Sequence, residues 1–229
     1  METSVVQFDL SRTLREILSD GKETPCIFDR ILERLESHSN RSASSIYDIK
    51  RRDDKKLKGN AWESFCHFYL STVLGYYRVW LWNDVPVDIR SSLRLLSRVD
   101  NGIDIIAQRV QGGHYTAVQC KYRGKITQLV TWTTLSTFVG LCAQTGPWEK
   151  HLVMTNCKGV SRKLPKTNKD QTMAYGTFKN LTRHQCLAVD NMGLGSYQML
   201  TVTNATVKTP EELRAARLAR FSSPESVSL

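Results

Sequence analysis

Near its start the chain spaces apolar residues with the period of a helix. Val5 to Ser19 and Pro25 to Leu35 both predict amphipathic helices, and in the second of them Ile27, Ile31 and Leu35 fall on one face. These two helices form an extension that braces a core, binds a partner or dimerises, with the brace as the default interpretation. His38 to Ser45, which contains four serines, one asparagine and one arginine, is interpreted as a connection.

A third helix is predicted from Asn60 to Leu74. Asn60 suits the N-cap, and Glu63 three residues later completes the spacing of a capping box, which gives Glu63 a purely structural explanation. The preceding charge run, Lys50 to Lys58, is equally well explained as a solvated helix end, as a phosphate contact or as a nuclear import signal.

Farther along the chain, the pattern of side chains changes to a period of two residues, which is typical of strands. Tyr76 to Trp82 predicts a strand, and Val99 to Arg123 predicts a β-hairpin with glycine-containing turns. Alternation in the second hairpin strand puts Gln119 and Lys121 on one face, and Asp104 opens the first strand directly after a tight turn. We therefore expect an acid, an amide oxygen and an ammonium group to converge on one spot.

Beyond the hairpin, Thr127 to Ala143 predicts a helix and His151 to Thr155 a strand parallel to an earlier one. Gln185 to Val189 predicts a final edge strand, and Thr209 to Phe221 a charged helix. The stretch from Ile126 to Trp148 has no charged residue, but its six threonines, two glutamines and serine make it too polar for a membrane span, so it is interpreted as a core-facing helix.

Composition narrows the class of protein. The 229 residues suffice for one well-buried domain with appendages, and the net charge of +10 favours a nucleic acid as partner. The six cysteines form no CxxC pair, which predicts reduced thiols rather than a zinc site or a disulfide scaffold. The chain opens without a secretory signal, so we expect an intracellular protein of the nucleus or cytoplasm, neither secreted nor bound to a membrane.

The hairpin residues also carry a resemblance. Asp100 to Asp104 followed by Val118 to Lys121 resembles the D-x-G-x-D … Q-x-K signature of the Mrr-like branch of the PD-(D/E)xK nuclease superfamily. Further blocks similar to this family lie in family order, so that the resemblance covers roughly Gly59 to Thr155: Gly59 to Phe65, Leu74-Gly75-Tyr76, Phe138-Val139-Gly140 and Leu152 to Thr155.

The resemblance implies a restriction-endonuclease-like α/β fold, αβββαβ, with a mixed central sheet flanked by helices and an α-helical N-terminal extension. Three regions follow from it. Residues 1–58 are the helical extension with a basic linker, residues 59–190 are the nuclease core, and residues 191–229 are a tail with a charged helix.

The chemistry of phosphodiester hydrolysis explains the residue types at the site. The attacking water must lose a proton and the developing charge must be neutralised, which a hard divalent cation such as Mg²⁺, or Mn²⁺ in its place, accomplishes with oxygen ligands. The resemblance implies that Asp104, Gln119, the Cys120 carbonyl and Glu63 bind this metal. Lys121 then orients or helps deprotonate the water, so the predicted catalytic residues are Asp104, Gln119, Lys121 and Glu63.

Basic residues after the hairpin are predicted to contact the DNA backbone. For the loop from Lys158 to Lys169 the alternative is a solvated loop. The predicted contacts are Arg123, Lys125, Lys158, Arg162, Lys163 and Lys166.

The predicted function is a Mg²⁺-dependent DNA endonuclease. Gln119 stands where the commonest superfamily pattern has a carboxylate, although glutamine is usual in the Mrr-like branch. Two alternatives remain open, a non-catalytic nucleic-acid-binding module and an accessory nuclease domain that acts with a helicase or transposase partner. The sequence has no GxxxxGK[ST] loop, and a double-strand cut by one site per chain favours a homodimer.

Overall fold

The structure is a computed structural model that describes residues 8–22, 24–41, 51–95, 102–110, 113–162 and 167–191. The chain divides into two units, Met1–Leu194 and Gly195–Leu229, and the second unit lies outside the described residues. The helices of the first unit are α1 (Leu10–Ser19), α2 (Ile27–Arg41), α3 (Arg51–Phe68), α4 (Val87–Ser92), α5 (Trp132–Gln144), α6 (Tyr175–Phe178) and α7 (Arg183–Asn191). Its strands are β1 (Arg78–Leu81), β2 (Ile105–Gln108), β3 (Tyr115–Lys121), β4 (Leu129–Val130), β5 (Trp148–Thr155), β6 (Gly159–Val160) and β7 (Asp170–Met173).

A mixed sheet of five strands forms the centre, in the order β1-β2-β3-β5-β7. The β1–β2 and β2–β3 pairs are antiparallel, whereas the β3–β5 and β5–β7 pairs are parallel because helices and loops cross over between these strands. This mixed sheet with helices on its faces confirms the predicted restriction-endonuclease-like α/β class. A second, two-stranded sheet pairs β4 with β6.

Alternation along β3 distributes its side chains between two cores. Val118 and Cys120 pack in a cluster with Trp62 of α3. Ala117 packs on the other face, in a cluster with Phe138 of α5. The predicted alternation is therefore confirmed, and β3 is covered on both faces.

The N-terminal helices belong to the first of these cores. Phe28 of α2 is fully buried, and its ring centroid lies 5.3 Å from that of Phe65 and 5.2 Å from that of Phe178. The Tyr175 hydroxyl donates to Asp29 Oδ1 at 2.8 Å. This packing is the arrangement that the brace interpretation requires.

The predicted boundaries of the second and third helices were wrong. α3 begins at Arg51, so Asn60 lies in the helix interior and cannot cap it, and the capping box with Glu63 does not exist. α2 continues to Arg41, so the first part of the predicted connection is helical. In α3 the burial of apolar residues such as Trp62 outweighs the low helix propensity of Gly59 and Asn60.

The predicted edge strand Gln185 to Val189 was also wrong, because these residues lie in α7. The Thr182 backbone N–H donates to Gln185 Oε1 at 2.9 Å, and the Gln185 backbone N–H donates to Thr182 Oγ1 at 3.3 Å. This reciprocal pair is a capping box, a local signal that the spacing of Thr182 and Gln185 contained.

The helix predicted from Thr127 to Ala143 begins later, at Trp132 in α5. The residues before it form a turn, with Gln128 N–H donating to the Lys125 carbonyl, and then β4. Among the helices that the structure describes, none is long and apolar enough to cross a membrane. The six cysteines are free thiols, as predicted. The predicted helix from Thr209 to Phe221 lies outside the described residues.

Candidate active site at the end of β3

Asp104 stands where three strands meet. Its backbone N–H donates to the Val118 carbonyl at 2.9 Å, and its carbonyl accepts from the Trp82 N–H at 2.8 Å. Its side-chain Oδ2 accepts hydrogen bonds from Gln119 Nε2 at 2.6 Å and from the Cys120 backbone N–H at 2.5 Å. Asp104 as a whole residue is 7% exposed, so this buried acid is held against β3 by two donors.

Gln119 occupies a space that a glycine provides. Gln119 is 1% exposed, and a Cβ placed on Gly102 would lie 3.5 Å from Gln119 Oε1 and 3.2 Å from the Phe138 backbone nitrogen. Gly102 also has a φ of 107°, which L side chains rarely adopt. The glycine of the predicted motif thus lets the turn approach both Gln119 and α5.

Lys121 is the last residue of β3, two positions after Gln119 and therefore on the same face of the strand. It is half-buried and pairs in the ladder with Thr155, the last residue of β5. The buried Thr155 hydroxyl donates to the Lys121 carbonyl at 2.7 Å. The structure therefore brings Asp104, Gln119 and Lys121 to one end of neighbouring strands.

Asn156, which sequence reasoning missed, holds the backbone after Lys121 in place. The Arg123 backbone N–H donates to Asn156 Oδ1 at 2.7 Å, and Asn156 Nδ2 donates to the Arg123 carbonyl at 2.7 Å. The Arg123 guanidinium reaches Thr134 Oγ1 at 3.2 Å, which joins the strand end to the first turn of α5. The only available signal was a polar residue directly after the strand-ending Thr155.

Glu63 approaches from the α3 side of the sheet. α3 is fixed to β5 by the Trp62 indole, which donates to the Met154 carbonyl at 3.2 Å. Burial raises the pKa of the Cys120 thiol well above its usual value, and the adjacent Cys66 thiol and the negative charges of Asp104 and Glu63 add to the rise. Both carboxylates therefore act electrostatically on the same residue of β3.

The donor set fits a hard divalent cation. Asp104 supplies a carboxylate and Gln119 an amide oxygen, and such oxygens are the ligands that Mg²⁺ prefers. Gln119 directs its Nε2 towards Asp104, so joint binding of a cation requires the amide group to turn its Oε1 to the same place. Within the part of the chain that the structure describes, no three His, Cys, Asp or Glu side chains cluster as a metal site. Of the four predicted ligands, Asp104 and Glu63 are carboxylates, and the other two are the Gln119 amide and the Cys120 carbonyl.

The predicted DNA contacts divide by location. Lys125, Lys158 and Arg162 are exposed, whereas Arg123 is half-buried. The Lys158 backbone N–H donates to the Ile126 carbonyl at 2.7 Å, so the two exposed loops lie side by side. Lys163 and Lys166 lie outside the described residues.

Comparison with known proteins gives one family and one solved structure. A family model of the Mrr catalytic type, described as restriction endonuclease, matches residues 72–189, more than half of the chain. This span includes Asp104, Gln119 and Lys121 but not Glu63. The structure of an ATP-dependent Type ISP restriction-modification enzyme, LlaBIII, bound to DNA is similar at 15% identity and a TM-score of 0.44, covering 67% of this chain and 8% of that one. Comparison with curated proteins yields no match.

Proposed function

The chain belongs to the Mrr-like restriction endonuclease family of the PD-(D/E)xK superfamily, and on this basis we propose that it is a Mg²⁺-dependent DNA endonuclease. The observation that carries the proposal is the convergence of Asp104 and Gln119 at the strand end that also bears Lys121. Gln119 Nε2 lies 2.6 Å from Asp104 Oδ2. The net charge of +10 suits a polyanionic substrate.

Each residue has a defined task in this proposal. Asp104 and Gln119 hold the metal, with the Cys120 carbonyl and Glu63 as further ligands. When bound, Mg²⁺ activates water and neutralises charge on the phosphoryl oxygens. The Lys121 ammonium orients the attacking water and balances the charge of the scissile phosphate. Thr155, through its bond to the Lys121 carbonyl, holds the backbone that carries this lysine.

The test is cleavage of supercoiled plasmid by purified protein, with Mg²⁺, with Mn²⁺ and with EDTA. We expect metal-dependent nicking by the wild type, and its loss in Lys121→Ala and in Asp104→Ala with DNA affinity largely retained. Lys150→Ala is the matched control, because Lys150 is a half-buried lysine of β5 that lies beside Thr116, near the opposite end of the sheet. Metal-dependent cleavage retained by both Lys121→Ala and Asp104→Ala would contradict this site assignment.

A second candidate function is a non-catalytic nucleic-acid-binding module. It is favoured by the bonds that Gln119 and Cys120 donate to Asp104, since these already satisfy one carboxylate oxygen without a metal. For such a module we expect no cleavage with either metal, together with DNA binding that weakens steeply with salt. Cleavage that arises only on addition of a helicase or transposase would instead indicate an accessory domain.

A further inference from the structure

Three exposed apolar side chains follow the candidate active site in the chain. Trp132, at the start of α5, is 43% exposed and is the most exposed of the five tryptophans. Ile126 is 40% and Leu129 is 46% exposed. We call these three residues the apolar rim. Exposed apolar groups collected in one short connection commonly mark a binding surface.

The small sheet sets the apolar rim beside positive charge. Leu129 pairs in the β4–β6 ladder with Gly159, which has no side chain to cover it. The Ile126 carbonyl accepts the backbone hydrogen bond from Lys158, and the exposed Arg162 lies two residues after the end of β6. The connection therefore presents apolar side chains and cations side by side.

The apolar rim lies at the end of the sheet that bears the proposed catalytic residues. The connection that carries it begins directly after Lys121, the last residue of β3. Arg123 reaches Thr134, two residues after Trp132, at 3.2 Å. A substrate that places a phosphate at Lys121 therefore has its neighbouring nucleotides close to this connection.

We propose that the apolar rim binds nucleobases of the DNA substrate, with Trp132 stacking on an unpaired base while Lys125, Lys158 and Arg162 bind the adjacent phosphates. This inference rests on the proposed function and adds a substrate class, DNA that has unpaired or unstacked bases near the cut. Positive charge around an apolar centre complements a nucleic acid strand, which offers phosphates at its edge and aromatic faces between them. An exposed indole suits stacking because every base has a π-face.

The test measures DNA affinity by fluorescence anisotropy in EDTA, where a metal-dependent nuclease cannot cut. Two probes are compared, a fully paired duplex and the same duplex with a short central gap. Trp132→Ala should weaken binding to the gapped probe about tenfold and to the paired probe much less. Trp132→Phe should restore most of the affinity. Trp132→Ala removes no charge, so the slope of log K against log salt concentration should equal that of the wild type. Lys158→Ala should reduce the magnitude of this slope by about 0.9.

Matched controls come from the opposite end of the sheet. Tyr77 is an aromatic residue with 45% exposure directly before β1, and Val110 has 56% exposure in the hairpin turn. Tyr77→Ala and Val110→Ser should bind both probes like the wild type. Leu129→Ser should weaken binding to the gapped probe as Trp132→Ala does, which keeps the test decisive if one rim variant folds poorly.

Equal affinity of Trp132→Ala and Tyr77→Ala for the gapped probe would overturn the inference. A loss of dimerisation in Trp132→Ala with unchanged DNA affinity would also overturn it, because the rim would then bind protein. The proposed function fails separately. Absence of plasmid cleavage by the wild type contradicts the nuclease, whereas the binding comparison in EDTA does not depend on catalysis.

Discussion

The side-chain amide of Asn156 bonds both polar groups of the Arg123 backbone, accepting from its N–H and donating to its carbonyl, each at 2.7 Å. Asn156 is 2% exposed and directly follows Thr155, which bonds the Lys121 carbonyl at 2.7 Å. Two successive residues of one chain segment therefore hold the end of the strand that carries the proposed catalytic lysine.

Asn156→Ala should reduce cleavage about tenfold and lower the free energy of unfolding by about 1–3 kcal/mol, because both backbone groups of Arg123 lose a buried partner. Urea unfolding and single-turnover cleavage at saturating Mg²⁺ measure the two effects. Asn156→Asp keeps the acceptor but loses the donor, so its cleavage rate should fall between those of the wild type and Asn156→Ala. Asn180→Ala, which removes an exposed bond to the Gly176 carbonyl of 3.3 Å, is the control. Lower stability with an unchanged single-turnover rate would show that Asn156 does not position Lys121.

Gln119→Glu should lower the Tm of the protein without metal and enlarge the rise in Tm when metal is added. The substitution places a second carboxylate beside Asp104, where Gln119 Nε2 now lies 2.6 Å from Oδ2, and like charges at this separation repel. Metal binding relieves the repulsion and stabilises the folded state. The measurement is Tm in EDTA and in Mg²⁺. Gln171→Glu, at an exposed position of β7, is the control. An equal rise of Tm with Mg²⁺ in the wild type and in Gln119→Glu would argue against a metal at Gln119.

Tyr175→Phe should lower the free energy of unfolding by about 1 kcal/mol, because it removes the bond from Tyr175 to Asp29 that joins α6 to α2. The bond to the carboxylate raises the pKa of Tyr175 to about 12. Since the folded-state pKa is above the unfolded value, this contribution is present below about pH 10 and lost as the pH rises through about 12. A double-mutant cycle with Asp29→Asn measures the coupling. Additive effects of the two changes at pH 7 would show that the pair contributes nothing.

Asp170→Asn should destabilise the protein more at neutral pH than in acid. Burial alone would raise the pKa of Asp170, but hydrogen bonds from the Thr167 backbone N–H at 2.5 Å and from His151 at 2.8 Å outweigh it and hold the pKa below its usual value. A carboxyl group whose pKa is lower in the folded protein than in the unfolded chain stabilises the fold at pH values above its unfolded pKa. This stabilisation is lost as the pH falls through the folded-state pKa. Urea unfolding should therefore separate Asp170→Asn from the wild type at pH 7, and by a smaller difference at about pH 3, which lies below the unfolded pKa. Glu33→Gln, an exposed carboxylate, is the control. A constant difference at both pH values would contradict this account.

Local patterns were sufficient for much of the site. The turn signals and the period of two located β2 and β3, and alternation alone put Gln119 and Lys121 on one face of the strand. Such inferences succeed because a strand's side chains alternate in every environment. Two errors occurred at helix ends, at Asn60 and at the start of α5, where burial rather than local sequence decides the boundary. The strand predicted in place of α7 was a different error, because the capping box of Thr182 and Gln185 was a local signal.

The sequence by itself determined which residues are proposed to carry the chemistry, because Asp104, Gln119 and Lys121 follow from a motif and a strand period. Only the tertiary structure decided how they are held. Asn156, directly after β5, bonds Arg123 across 33 residues of sequence, and Asp104 receives its bonds across 15 and 16 residues. Tertiary pairing also set Leu129 beside Gly159 and left Trp132 exposed. Hydrogen bonds and burial between distant segments depend on how the sheet assembles, and no local period records them.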